Sequence, residues 1–390
     1  MRRIDAALKL LVVLLAASSA VAHAEGKKPG AVRKVAIVLY DGVELLDFAG
    51  PGEVFASAGG FRVFTVASTH APVLSQGFVR ITPDYSVEDS PAPDILVVPG
   101  GASGTFAGDK AGMAWLRKVA PRAEVAMSVC TGAFLLGRAG LLDGKAATTH
   151  WSGLDALRSS FPRTQVKSDV RYVDAGQVLT TAGVSAGIDG ALHLVQRLLG
   201  DEVAWQTARY MQYDAWEPGT SGSLSPQAKE ALRALVFRDP ERATKLLSEQ
   251  VGANPTDPVA LARLGRAQLL RGSPKEGIAT LQSALALGDR TPLTLSALGS
   301  AQHSTGDYAG ASRTFQQLVE QRGGGNDAYN LACARARAGD SAGALTALEQ
   351  AVQLGFEDRV AAQNDDDLAS IKGDPRFARA FGQRQAQAAR

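Results

Sequence analysis

Cys130 stands in the run Met127-Ser128-Val129-Cys130-Thr131-Gly132-Ala133-Phe134, where an apolar, strand-like segment passes into a helix-like one. A cysteine on a sharp strand-to-helix turn is held out at a sheet edge beside the positive end of a helix, which favours the thiolate, its reactive form. Ser128 and Gly132 are the small neighbours such a turn requires. Attack of sulfur on an electron-poor carbon also needs an acid or base and donors for developing charge. Asp47, following Leu45-Leu46, is the candidate carboxyl, and burial beside sulfur would raise its pKa enough to deliver a proton. A helix-capping role is the plainer alternative for the same residue. The backbone N–H groups of Gly101 and Thr131 are the candidate anion-stabilising pocket, with Gly100 and Gly101 allowing close approach. His150, twenty residues after Cys130, has a side chain suited to proton transfer, with a structural role equally open. Glu53 and His193 read as helix-face residues, since neither has a neighbour that makes it a metal ligand.

Composition narrows what surrounds these residues. A chain of 390 residues exceeds one ordinary core and implies two or three domains, and 45% apolar with 21% charged residues implies folding. Lysine and arginine total 41 against 39 acids, a net charge of +2, and no local basic motif is present, so nucleic acid is not an expected partner. Cys130 and Cys333, the two cysteines, cannot build a disulfide framework or a zinc site on their own. With no phosphate loop, dinucleotide fingerprint or metal cluster in view, neither a cofactor nor a metal is expected.

The first segment, 1–24, has a basic start, a short apolar run from Leu10 to Ala22 and small residues around Ala24, the pattern of a cleavable export signal. That run is too short for a stable membrane anchor. A periplasmic or secreted location is therefore expected, with residues 25–33 as a polar leader. From Lys34 strands and helices alternate: strands at 35–40, 61–67, 95–98, 125–129 and 178–181, helices at 45–58, 113–120 and 185–199, the last continuing over 205–216. This predicts a three-layer α/β domain over 34–217, with a doubly wound parallel sheet and its site at the carboxyl ends of the strands.

Residues 218–225 have linker composition, and 226–390 change to alanine- and leucine-rich helices. Ala260–Ala267, Thr294–Ala301 and Ala328–Arg335 superpose at an offset of 34, and the turn glycines Gly272, Gly306 and Gly339 keep nearly the same period. Five residues after each stands a small residue, Gly277, Ala311 or Ala344, where the second helix must approach the first. This resembles the tetratricopeptide repeat, an all-α solenoid whose concave surface takes a protein or peptide partner. Cys333 falls where the other copies carry Gly265 and Gly299, which makes it a packing cysteine.

The α/β half also resembles a known family. Tyr40-Asp41-Gly42-Val43-Glu44-Leu45-Leu46-Asp47-Phe48-Ala49-Gly50-Pro51, Val98-Pro99-Gly100-Gly101, Ser128–Ala133, Ala147–Trp151 and Thr181–Asp189 carry a likeness to the ThiJ/PfpI superfamily, with its class I glutamine amidotransferase-like, flavodoxin-like fold. Within it the pattern looks most like isonitrile hydratase and the sensor domains of AraC-type regulators. The resemblance implies Cys130 as nucleophile, Asp47 beside it, Thr131 as the residue after it, His150 approaching it, and a homodimer. Thr131 stands where PfpI-type peptidases place histidine, and downstream of Cys130 neither His150, followed by Trp151-Ser152, nor His193, followed by Leu194-Val195, precedes a glutamate by two residues, so neither protease nor glutamine amidotransferase activity is expected. The expected function is a cysteine-dependent hydratase, lyase or hydrolase of a small molecule. The alternative is a non-catalytic ligand or redox sensor that recruits partners through its repeats.

Overall fold

The computed structural model describes residues 32–213, 216 and 225–388. The expected export signal and nearly all of the leader and linker lie outside the described residues. The α/β region runs β1 (Arg33–Val38), α1 (Leu45–Ala58), β2 (Phe61–Ala67), β3 (Val73–Ser75), β4 (Val79–Ile81), β5 (Tyr85–Ser86), β6 (Ile95–Val98), α2 (Ser103–Gly108) and α3 (Lys110–Val119). It continues through β7 (Val125–Ser128), α4 (Gly132–Arg138), β8 (Ala146–Ala147), α5 (Leu154–Ser160), β9 (Gln165–Val166), β10 (Tyr172–Ala175), β11 (Val178–Thr181), α6 (Ala186–Leu199) and α7 (Asp201–Tyr210). Strand β1 starts at Arg33, one residue inside the segment expected to be leader.

Seven strands form one sheet in the order β10-β11-β7-β6-β1-β2-β5. Its five central strands, β2-β1-β6-β7-β11, follow the flavodoxin-like order, second, first, third, fourth, fifth. The sheet is parallel apart from β10, which pairs antiparallel with β11. The sheet is thus mainly parallel, as expected, and at that edge β10 connects to β11 through the tight turn Gly176-Gln177, a link too short to join anything but antiparallel strands. Strand alternation divides the core into two layers. Ala36, Val38, Leu96, Val98 and Ala126 pack with Phe106, Leu116 and Leu136 on one face. Val35, Ile37, Ile95, Val97 and Met127 pack with Phe55, Leu192 and Val195 on the other. Burial on both faces explains why β6, β7 and β11 are continuous apolar or small-residue runs rather than alternating ones.

Helix α7 stops at Tyr210 instead of continuing to Trp216 as the aromatic spacing predicts. Gln212 takes φ +53° and the Tyr213 N–H returns to the Ala208 carbonyl at 2.8 Å, a left-handed cap that ends the helix.

Ten helices follow: α8 (Pro226–Val236), α9 (Pro240–Ala253), α10 (Pro258–Leu270), α11 (Pro274–Ala286), α12 (Pro292–Ser304), α13 (Tyr308–Arg322), α14 (Gly325–Arg337), α15 (Ser341–Gln353), α16 (Arg359–Asn364) and α17 (Pro375–Ala388). Successive helices pack as hairpins, consistent with repeats. Gly272, Gly306 and Gly339 all adopt φ +85°, a conformation costly for residues with a side chain. A Cβ on Gly265 would lie 3.0 Å from the Gly277 carbonyl, so the small pair sets the approach of α10 and α11.

The two regions meet through α7. Glu202 is 9% exposed, and its carboxylate pairs with Arg266 and, at 3.6 Å, with Arg263, both on α10. Next to it Trp205 meets Phe237 edge-on, with the Arg209 and Arg233 guanidiniums 4.9 and 5.6 Å from the Phe237 ring centre. Removing the carboxylate strands two half-buried guanidiniums without their counter-charge. Glu202→Gln is expected to cost about 3 kcal/mol in denaturant unfolding, and an unchanged midpoint would show that the seam carries no stability.

Candidate active site

In a sheet of this order the crevice opens between the carboxyl ends of β1 and β6, where the connections leave to opposite faces. The β1 loop carries Tyr40 and leads to α1, the β6 loop is Pro99-Gly100-Gly101, and β7 next to it ends at the cysteine turn. Asp47, in the first turn of α1, is fully buried. It does not cap its helix: Glu44 holds the N-cap position without a side-chain bond, and Asp47 Oδ2 accepts the Gly100 N–H at 2.8 Å. Its Oδ1 has no hydrogen bond of standard geometry, and the Cys130 thiol and the Val184 N–H also act on the carboxyl, favouring its charged form. Burial lifts this carboxyl to about 7; the Gly100 N–H opposes the rise and the charge of Glu44 adds to it.

Cys130 adopts φ +56°, a strained conformation for a residue with a side chain. Its N–H donates to the Ala182 carbonyl at 3.0 Å and its carbonyl accepts the Thr149 hydroxyl at 2.7 Å, so both sides of the turn are fixed from outside. Glycine is obligatory around it. A Cβ at position 132 would lie 2.0 Å from the Val98 carbonyl, and one at position 100 would lie 2.6 Å from Thr131 N. Cys130 is 8% exposed and its thiol is pushed up to about 12, first by burial and then by the Asp47 charge, while the Thr131 and Val184 N–H groups favour the thiolate. This corrects the expectation of a thiol acidified by the helix end. Helix α4 spans only seven residues, too short a dipole to offset burial beside a carboxylate. Sulfur and carboxyl titrate as a pair, and part of the rise disappears when Asp47 takes the proton.

The glycine pocket also differs from expectation. The Gly100 N–H is occupied by Asp47, and the Gly101 N–H donates to Thr131 Oγ1 at 3.1 Å, so neither is free to hold an anion. The Thr131 hydroxyl donates back to the Gly101 carbonyl at 3.2 Å; this side chain ties the β6 and β7 loops together. The donors that reach the sulfur are the backbone N–H groups of Thr131 and Val184. Val184, a β-branched residue at φ +50°, was not a sequence candidate, although its segment was part of the family likeness. Tyr40 was also missed as a functional group: its hydroxyl donates to the Pro99 and Gly100 carbonyls, both at 2.8 Å, and fixes the loop whose N–H holds Asp47.

Cys130, Asp47, Thr131, Gly100 and Gly101 are thus brought together. His150 joins them only indirectly. Its Nδ1 pairs with the Ser152 hydroxyl at 2.8 Å, and its ring packs on Gly183, where a Cβ would lie 2.2 Å from Cδ2. No hydrogen bond links it to Cys130 or Asp47 among the described residues; it buttresses the turn that presents Val184. Cys333 is buried in the helical region, 3.6 Å from Asp365, with burial and the Asp365 charge raising its thiol. Cys333, Asp365 and Asp367 are the one three-donor set that could hold a metal among the described residues, remote in the chain from Cys130. Arg337 already pairs with Asp367.

An amidotransferase-like α/β sheet with a buried cysteine–carboxylate pair on a left-handed turn defines a cysteine-elbow protein. Residues 33–197 match the DJ-1/PfpI family, and the chain belongs to that family. It is 38% identical over 191 residues to isonitrile hydratase of Pseudomonas putida, covering 49% of this chain and 82% of the relative. It is 32% identical over 148 residues to the HTH-type transcriptional regulator CdhR of Pseudomonas aeruginosa, covering 38% of this chain and 44% of the regulator. A crystal structure of a ThiJ/PfpI family protein from Pseudomonas syringae aligns with 32% identity and a TM-score of 0.45, covering 57% of this chain and 93% of that one.

The raised Asp47 carboxyl has a signed consequence for stability. An unfolded aspartate titrates near 3.9, so the buried acid favours folding at low pH and that contribution is lost as pH rises through about 7. Asparagine keeps the acceptor for Gly100 and cannot ionise. From pH 4 to pH 8 Asp47→Asn should gain on wild type by on the order of 2–4 kcal/mol in urea unfolding, whereas a pH-independent difference would mean that the carboxyl is not buried as described.

Proposed function

We propose that this protein is an exported, cysteine-dependent enzyme that adds water to a small molecule at an electron-poor carbon, with isonitriles as the leading substrate class. The observation that carries this reading is the buried Cys130–Asp47 pair, aligned by the Gly100, Thr131 and Val184 N–H groups. The similarity to isonitrile hydratase supports the substrate class. Resting Cys130 is a thiol, and Asp47, near 7, is matched to accept its proton and pass it on. As sulfur bonds to the terminal isonitrile carbon, the thiol proton moves through Asp47 to that same carbon, giving a thioimidate, R–N=CH–S–Cys130. Water adds to its carbon, the C–S bond breaks, sulfur regains a proton and an N-substituted formamide leaves, so substrate plus one water balances product. The helical hairpins serve as a docking region for a protein or peptide partner.

A ligand sensor is the second reading, favoured by the similarity to the regulator and by a thiol held protonated at rest. One assay separates the two. Incubation with cyclohexyl isocyanide, followed by NMR, should show formamide from wild type, none from Cys130→Ser, and kcat lowered by about 10²–10⁴ in Asp47→Asn. No turnover by wild type, or turnover surviving in Cys130→Ser, overturns the enzyme reading.

A further inference from the structure

A cavity of about 200 Å³ opens at the carboxyl ends of β1 and β2. Cys130, Asp47, Gly100 and Val184 are not among its walls, so it is distinct from the cysteine site. Its volume equals that of roughly six or seven liquid waters, enough for a small organic molecule. Leu39, Val73 and Phe106 give it an apolar floor, and Asp41 and Asp109 bring two carboxylates to it. The hydroxyls of Ser68, Thr69 and Thr105 complete its polar lining, and none of its twelve lining residues is cationic.

Both carboxylates are fixed before any ligand arrives. Asp41 Oδ1 accepts the Leu74 N–H at 2.8 Å; Asp109 Oδ1 accepts the Ala111 N–H at 3.0 Å and Oδ2 accepts the Ser68 hydroxyl. Asp41 is exposed at the cavity mouth and Asp109 is half-buried, and neither enters an ion pair among the described residues, so the cavity presents two acids without a counter-charge from the protein. An anion would be repelled, and a neutral ligand would draw nothing from the two charges. A bare divalent cation needs several oxygen ligands close together, and Asp41 and Asp109 belong to no such three-donor group among the described residues. A small ligand with a positive head and an apolar body satisfies the acids, the hydroxyls and the floor together. We propose that this cavity is a binding site for a small organic ammonium compound. Tyr40 connects it to the catalytic side, since this residue lines the cavity while its hydroxyl holds the Pro99 and Gly100 carbonyls.

Isothermal titration of the full-length protein at low ionic strength tests the site with ethanolamine and tetramethylammonium, and with n-propanol as the uncharged counterpart of ethanolamine. At least one of the two ammonium probes should bind saturably at one site and n-propanol should not. Asp41→Asn and Asp109→Asn keep their backbone hydrogen-bond acceptors, and each should weaken binding about tenfold. Ala71→Trp, placed on the exposed rim, should block the cavity with both acids intact. Cys130→Ser should bind as wild type does, which separates this site from the proposed chemistry. Absence of saturable binding by both ammonium probes, equal binding of n-propanol, or wild-type affinity in Ala71→Trp or in the double Asn variant overturns the proposal.

Discussion

Asp47 is enclosed by protein, has no cationic partner among the described residues, and takes one hydrogen bond of standard geometry, from the Gly100 N–H. An ionised carboxylate in such a place costs several kcal/mol. The protein answers by keeping the proton available near neutrality and by directing neutral dipoles at the oxygens. That single constraint organises three loops. Position 100 must be glycine so that its peptide can pass between the acid and the cysteine turn, and Tyr40 must hold the carbonyls of the same loop so that its N–H stays aimed.

The second feature is strain placed opposite the acid. Cys130 and Val184 both adopt positive φ, and each costs of order 1–3 kcal/mol relative to relaxed backbone. Their surroundings over-determine them. The Cys130 peptide is bonded on both sides to Ala182 and Thr149, and α6 starts directly after Val184, with Gly187 seated against Val129 and Pro51. The strained turns let two segments remote in sequence aim N–H groups at one sulfur.

Much of this was legible in the residues. Apolar segments marked the central strands, and the turn around Cys130 and the acid at Asp47 stood out by residue type and spacing. The 34-residue offset located the helical hairpins, because a period depends on residue types and spacing alone. What stayed hidden depends on the third dimension. Nothing in the letters at 100 and 101 says that their N–H groups are consumed by Asp47 and Thr131, and no propensity places valine at positive φ. The thiol was misjudged because the helix end was weighed without the burial that outweighs it, to which the Asp47 charge adds. The antiparallel edge strand β10 and the short hairpin β3–β4 were missed for a different reason: few residues and mixed polarity give too weak a periodic signal.

The seam at α7 bears on how this chain can be handled as parts. One face of α7 packs on α1, the helix that carries Asp47, and on α6, while Glu202 and Trp205 reach into the helical region. A cut through the intervening segment would leave an acid and an indole on one fragment, and Arg263, Arg266 and Phe237 on the other, each facing water with surfaces shaped for burial. The fragments would then tend to rejoin or to aggregate rather than behave as interchangeable modules. A transplantable version of the cysteine domain has to carry a redesigned α7, with polar replacements for the side chains that now reach across.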